Sequence, residues 1–264
     1  MTWTRFLPLL MLAPSSAQGV DWYASTVVSY SNLGVGIYGD PTAALGQPTR
    51  WVRDTVNGGA NQQVFPSPGY APWNVGPNSE PLVVTIKPGG QLTLAFTTAI
   101  QDTPGNWYGY DFIVFGNSIL ATNQTVTASS NFDQLLVLSG PDFLEPMQVS
   151  VSPNGLQWYS YPVTNSTGAD SLWPTLAFNP SDGTPTDFTK PIRPTLSRSA
   201  YSGQSLNSLC AAYLGSGGGT AFDLRPSGFR SIKYIRITGN SGEVDAIARV
   251  SRGVTPVQTQ ISID

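Results

Sequence analysis

Two stretches of the chain place an apolar side chain on every second residue and break at turn-forming residues, a pattern that leaves few folds open. Leu82, Val84 and Ile86 precede Lys87, Pro88, Gly89 and Gly90, after which Leu92, Leu94 and Phe96 continue the alternation. Met147, Val149 and Val151 alternate with Gln148, Ser150 and Ser152, and Pro153, Asn154 and Gly155 then lead into residues 156–161. A period of two belongs to a half-buried β-strand, and Asn-Gly is a turn pair that tolerates positive φ. Each stretch is expected to be a β-hairpin with one face buried.

Further strands are expected at residues 25–30, 135–138, 231–238 and 244–250. Residues 110–115 are apolar on both faces apart from Asp111, so they read as a central strand covered on two sides. One helix stands out, with Ser202 to cap it, Leu206, Leu209, Cys210 and Tyr213 as its apolar stripe, and Gly215 to end it. The lone cysteine, Cys210, sits on that stripe, which suits a small buried hydrophobe. With 27 Gly, 22 Pro, 40% hydrophobic and only 11% charged residues, the chain is turn-rich yet keeps enough apolar material for a core. The expected fold is all-β, an antiparallel jelly-roll β-sandwich with one short helix and long loops. Residues 164–190 form a Pro-rich, strand-poor insertion of a length that compact domains seldom carry without a use. No change of composition divides the chain after residue 17, so 18–264 is expected to be one domain.

Residues 1–17 have the layout of a secretory signal peptide: Arg5, an apolar run from Phe6 to Leu12 broken by Pro8, then Ser15, Ser16 and Ala17. Secretion is expected, with cell-surface retention as the other possibility. No stretch is apolar over the roughly 20 residues of a membrane span. The formal net charge is −3, and loss of Arg5 with the leader makes it one unit more negative. That balance argues against nucleic acid as a partner, because phosphate binding needs a basic surface.

Four segments carry a family resemblance. They are 110–117, with Tyr110, Asp111, Phe112 and Asn117; 145–158, from Glu145 to Trp158; 217–224, with Gly217, Asp223 and Leu224; and 242–247, with Gly242, Glu243 and Asp245. In this order they resemble a bacterial family of secreted or cell-surface jelly-roll domains, similar to galactose-binding and discoidin-like sandwiches. The resemblance implies a binding or structural role, loops that take glycans or lipid head groups, and a structural calcium. The sequons at Asn123 and Asn165 are incidental in a bacterial setting.

The chain has no histidine and one cysteine, so the Ser-His-Asp and Cys-His arrangements and Cys-rich metal sites are absent. Residues 215–219 are Gly-rich but lack the Lys-Ser/Thr of a phosphate loop. What remains is a set of oxygen donors: Asp111, Asn117, Glu145, Asp223, Glu243 and Asp245. Calcium takes six to eight such ligands, and an ionised carboxylate in an apolar strand, as at Asp111, is costly unless paired or bound to a cation. The alternative is that Asp111 accepts loop amides, Asp223 caps a turn, and Glu243 or Asp245 pairs with Arg236 or Arg249. Trp107, Tyr108 and Trp173 are the expected ligand-binding aromatics, because such rings give a sugar a flat apolar face with a polar handle. The favoured function is a non-catalytic recognition or structural module for polysaccharide or a cell-envelope surface. The competing reading is a carboxylate-based polysaccharide hydrolase.

Overall fold

The computed structural model describes residues 21–54, 62–73 and 75–253; the expected signal peptide lies outside the described residues. Eleven strands run in chain order: β1 (Thr26–Leu33), β2 (Val52–Asp54), β3 (Gln62–Val64), β4 (Val84–Gln101), β5 (Phe112–Phe115), β6 (Gln148–Ser152), β7 (Tyr159–Ser160), β8 (Thr220–Phe222), β9 (Ser231–Thr238), β10 (Glu243–Val244) and β11 (Ala246–Arg249). One α-helix, α1 (Leu206–Ala212), precedes β8. The larger sheet has the order β1-β4-β9-β6-β7, with β10 also on β4; the smaller has the order β11-β5-β8; β2 and β3 pair apart. Every pairing between these strands is antiparallel. The protein is an all-β sandwich, and no helix among the described residues is long and apolar enough to cross a membrane.

The two sheets meet through the alternating residues that the pattern marks. Leu92 and Leu94 of β4, Val149 and Val151 of β6, and Ile235 and Ile237 of β9 share one interior with Phe112 and Val114 of β5, Phe222 of β8 and Ile247 of β11. Each such side chain contributes about 1.5–3 kcal/mol when fully buried. The other face of the smaller sheet, Ile113, Phe115, Ala246 and Ala248, packs on Ala177 and Phe188. The 164–190 insertion therefore serves as a covering layer, which is why β5 can be apolar on both faces.

Four local expectations differ from the structure. Residues 82–96 do not form a hairpin: β4 runs through Lys87–Gly90, and both of its halves lie beside β1, Leu33 opposite Ile86 and Tyr30 opposite Leu92, with a register shift between them. The glycines form a bulge, not a turn. Gly89 has φ +75°, and a Cβ on Gly90 would lie 2.5 Å from the Asn32 carbonyl oxygen, so glycine lets β1 come close. Ile86 before the bulge and Leu92, Leu94 and Phe96 after it, all even-numbered, are buried in the same core. The last strand is divided, because β10 joins the larger sheet and β11 the smaller, with Asp245 at the crossing. The helix is capped by Ser205, whose hydroxyl accepts from the Ser208 amide at 3.1 Å, since residues 198–201 close a 3-10 turn of their own before it. Residues 135–138 make isolated bridges in place of a strand.

The second hairpin stands as expected. Val151 faces Tyr159 across it, and the Asn154 side chain accepts from the amides of Leu156 and Gln157 within the turn. On α1, Leu206, Leu209, Cys210 and Tyr213 are all buried.

Candidate functional site

The structure divides the six predicted oxygen donors among three places. Asp111 and Asp223 join Asp102 in one acidic group; Glu145 and Glu243 join Asp170 in another, beside Asn117; Asp245 stands apart. Asp245 is buried at the crossing between the sheets, where the Thr49 amide and hydroxyl donate to its carboxylate at 2.9 and 2.8 Å. Burial pushes its carboxyl up to about 7, against the pull of those two donors. Its partners make it a tie between residues 49 and 245.

Asp111 opens β5 and is also buried. It accepts from the Thr103 amide, the Asn106 side chain and the Leu224 amide at 3.0, 3.1 and 2.8 Å. Burial raises its carboxyl to about 6, the amide bonds to Leu224 and Thr103 oppose this, and the charges of Asp102 and Asp223 add to it. Asp223 pairs with Arg225 at 3.0 Å and accepts that residue's amide at 2.9 Å. This group is largely satisfied by its own loops.

The Asp170 group is built differently. One oxygen each from Glu145, Asp170 and Glu243 lies within 4.8 Å of the others. Asp170 is buried and adopts φ +55°; its two oxygens accept the amides of Asn117, just after β5, and of Glu243, which opens β10, at 2.6 and 3.0 Å. Two glycines allow this approach. A Cβ on Gly116 would lie 2.6 Å from the Asp170 Cα, and one on Gly242 would lie 2.5 Å from the Glu145 carbonyl oxygen. Burial, then the charges of Glu243 and Glu145, raise Asp170 to about 8 despite the two amide bonds. Glu243 rises to about 7, from burial first, opposed by the Thr85 hydroxyl that donates to it at 2.8 Å.

Asp170 is buried, Glu243 partly buried and Glu145 exposed, so the crowding of charge falls mainly on Asp170 and Glu243, where a proton or a cation relieves it. The group could hold a metal ion: its oxygens come from four chain segments, and the buried Asn117 side-chain oxygen has no hydrogen-bond partner among the described residues. Asn117, Glu145 and Asp170 also line a cleft of about 570 Å3 with Trp73, Ile119 and the exposed Phe143.

The expected ligand-binding aromatics fall in two places. Trp107 and Tyr108 lie next to each other in a 3-10 turn before β5, with ring centroids 5.7 Å apart. Lys190 places its ammonium 4.7 Å from the Trp107 ring centre, while Tyr108 stays 44% exposed. Trp173 is half-buried, edge-on to Tyr213 at 6.1 Å, and lines a separate cleft of about 790 Å3.

A larger aromatic surface lies elsewhere. Trp51, Phe65, Phe132 and Phe178 form a continuous set with centroid distances of 4.9 to 6.3 Å. Trp51, Phe65 and Phe132 floor a cleft of about 590 Å3 whose rim carries Gln63, Asn131, Asp133, Ser181 and Asn207. That rim is already ordered: Asn207 donates to Asp133 at 2.8 Å, and Ser181 donates to Asn207 at 2.9 Å. Arg50 supports the set from behind, donating to the carbonyls of Ala177 and Thr186 at 2.6 and 3.0 Å, 5.6 Å from the Phe178 ring centre.

Neither Asp170 nor the Trp51 set is marked in the sequence reading. Asp170 sits in an insertion without periodicity, and the four rings come from positions 51 to 178, with no spacing to link them. No protein-family model, curated protein or solved structure matches the chain.

Proposed function

We propose that this protein is a secreted, non-catalytic recognition module that binds glycan in the cleft floored by Trp51, Phe65 and Phe132, with calcium holding the loops around Asp170. The observation that carries the reading is an aromatic floor with Trp51 exposed and Phe65 and Phe132 partly so, beside a rim in which Ser181, Asn207 and Asp133 are fixed by mutual hydrogen bonds. Aromatic faces stack on the C–H faces of sugars, and pre-ordered polar groups bind hydroxyls without a further loss of side-chain entropy. The Trp107 ring is engaged by Lys190 and Trp173 lines a separate cleft, so Trp51 is the tryptophan that this site presents to a ligand. The calcium would be held by Glu145, Asp170, Glu243 and the Asn117 side-chain oxygen, and it would supply charge balance to Asp170 and Glu243, whose carboxyls burial raises.

The test is a glycan array of neutral and acidic polysaccharides, followed by titration calorimetry of the wild type and Trp51→Ala. Trp51 is 41% exposed but packs on Phe65 and Phe178, so its removal should lower the unfolding midpoint by only about a few degrees and leave the protein folded for the titration. Affinity for the captured glycan should fall by at least roughly tenfold, about 1.4 kcal/mol. An array with no binding above background, or equal affinity in the variant, overturns the reading.

A further inference from the structure

The cleft of about 790 Å3 beside Trp173 shares no lining residue with the Trp51 cleft and carries arginines where that one carries an aspartate. No aspartate or glutamate lines it, although the chain carries 16 acids against 13 basic residues. Two arginines do. Arg198 is committed, since its guanidinium spans both carboxylate oxygens of Asp142 at 2.7 and 2.9 Å and reaches the Leu138 carbonyl at 2.6 Å. Arg193 is not. Its side chain has no ion pair, hydrogen bond or ring contact among the described residues, and its Nε is buried without an acceptor.

The terminal guanidinium nitrogens of Arg193 are not buried and have no protein acceptor among the described residues, so they are the N–H groups that an anion in the cleft can reach. The guanidinium is planar and forked, so it selects a carboxylate that can take two parallel hydrogen bonds. Beside it the cleft offers Trp173, whose indole N–H has no protein partner among the described residues, and the hydroxyls of Ser139, Ser199 and Thr220. These groups suit a hydroxylated ligand with an apolar face. We propose that this cleft is a second binding site, for a saccharide that bears a carboxylate, with Arg193 as the residue that recognises the acid group. The saccharide class rests on the glycan reading above; the carboxylate rests on Arg193.

The experiment is titration calorimetry of the purified protein with trigalacturonate and with its carboxyl-reduced, neutral counterpart. Trigalacturonate should bind the wild type, and Arg193→Gln should weaken it by at least roughly tenfold, the loss expected for charge-assisted hydrogen bonds. Arg193→Lys should recover only part of the affinity, because an ammonium keeps the charge but not the fork. Trigalacturonate binding that is lost in Trp51→Ala and kept in Arg193→Gln belongs to the other cleft and overturns this proposal, so failure here and failure of the Trp51 reading show separately. The proposal is overturned by absence of binding, by Arg193→Gln binding as the wild type does, or by equal affinity for the reduced trimer. Competition by inorganic phosphate at equal concentration would show a general oxyanion pocket and overturn the saccharide assignment.

Discussion

At Gly116 a single hydrogen decides whether the Asp170 group can form. A Cβ there would lie 2.6 Å from both the Cα and Oδ1 of Asp170, and no flexible side-chain end is available to move aside. Gly116→Ala is therefore expected to destabilise the protein by about 1–3 kcal/mol, as overpacking does. Gly105→Ala is the matched control: its Cβ would meet nothing within 4 Å and its φ is not positive, so its effect should stay within about 0.5 kcal/mol. Urea unfolding of both variants checks this, and equal midpoints would show that Asp170 can retreat freely. Cys210 was legible at this scale, because its spacing with Leu206, Leu209 and Tyr213 placed it on the buried stripe, where the structure finds it. Asp170 was not legible, since an acid in an irregular loop announces neither its burial nor the glycines that let backbone amides reach it.

The elements that converge on Asp170 are the end of β5, the chain before β6, the 164–190 insertion and the start of β10, and their acids set a pH dependence. Asp170 at about 8, and Glu243 and Asp245 at about 7, lie above their ordinary values near 4. The folded chain thus holds more protons than the unfolded chain between pH 4 and 8. The stability that these groups contribute is full below about pH 4 and is lost as pH rises through 7 and 8. In chelator the unfolding midpoint should fall from pH 5 to pH 8. Calcium favours the ionised forms, so it should flatten that fall. At about a hundred times its dissociation constant it adds roughly 2.7 kcal/mol, a rise of roughly 5–10 °C at neutral pH. Differential scanning calorimetry at several pH values, with calcium and with chelator, measures both slopes; superimposed curves would return the acids to sharing protons. At the scale of elements, β4 shows how a true signal can mislead. The Pro-Gly-Gly stretch has turn chemistry, but the strand continues through it as a bulge, with Ile86 and Leu92 buried in the same core.

In the whole molecule, stability is concentrated where the two sheets face each other. Phe112 is fully buried and stacks on Phe222 with centroids 4.9 Å apart and planes within 9°, while Tyr161 closes the group at 6.2 Å. Phe112→Ala should lower stability by about 3–5 kcal/mol, through lost burial and the cavity left between the sheets. Denaturant unfolding followed by tryptophan fluorescence would measure it, and a loss below about 1 kcal/mol would mean that the sheets close over the gap. The sequence alone determined that the chain is all-β, that residues 147–161 form a hairpin, that 110–115 includes a strand covered on both faces, and where the helix stripe falls. Periodicity and turn chemistry are local, and neighbouring residues carry them. Tertiary structure alone decided which acids meet: Asn117 and Asp170 are 53 positions apart and Asp170 and Glu243 are 73 apart, yet hydrogen bonds join them. It also decided that Trp51 lies beside Phe178 and that Arg193 faces a cleft without acids. Strand order and loop packing set those distances, and no local pattern in the chain encodes them.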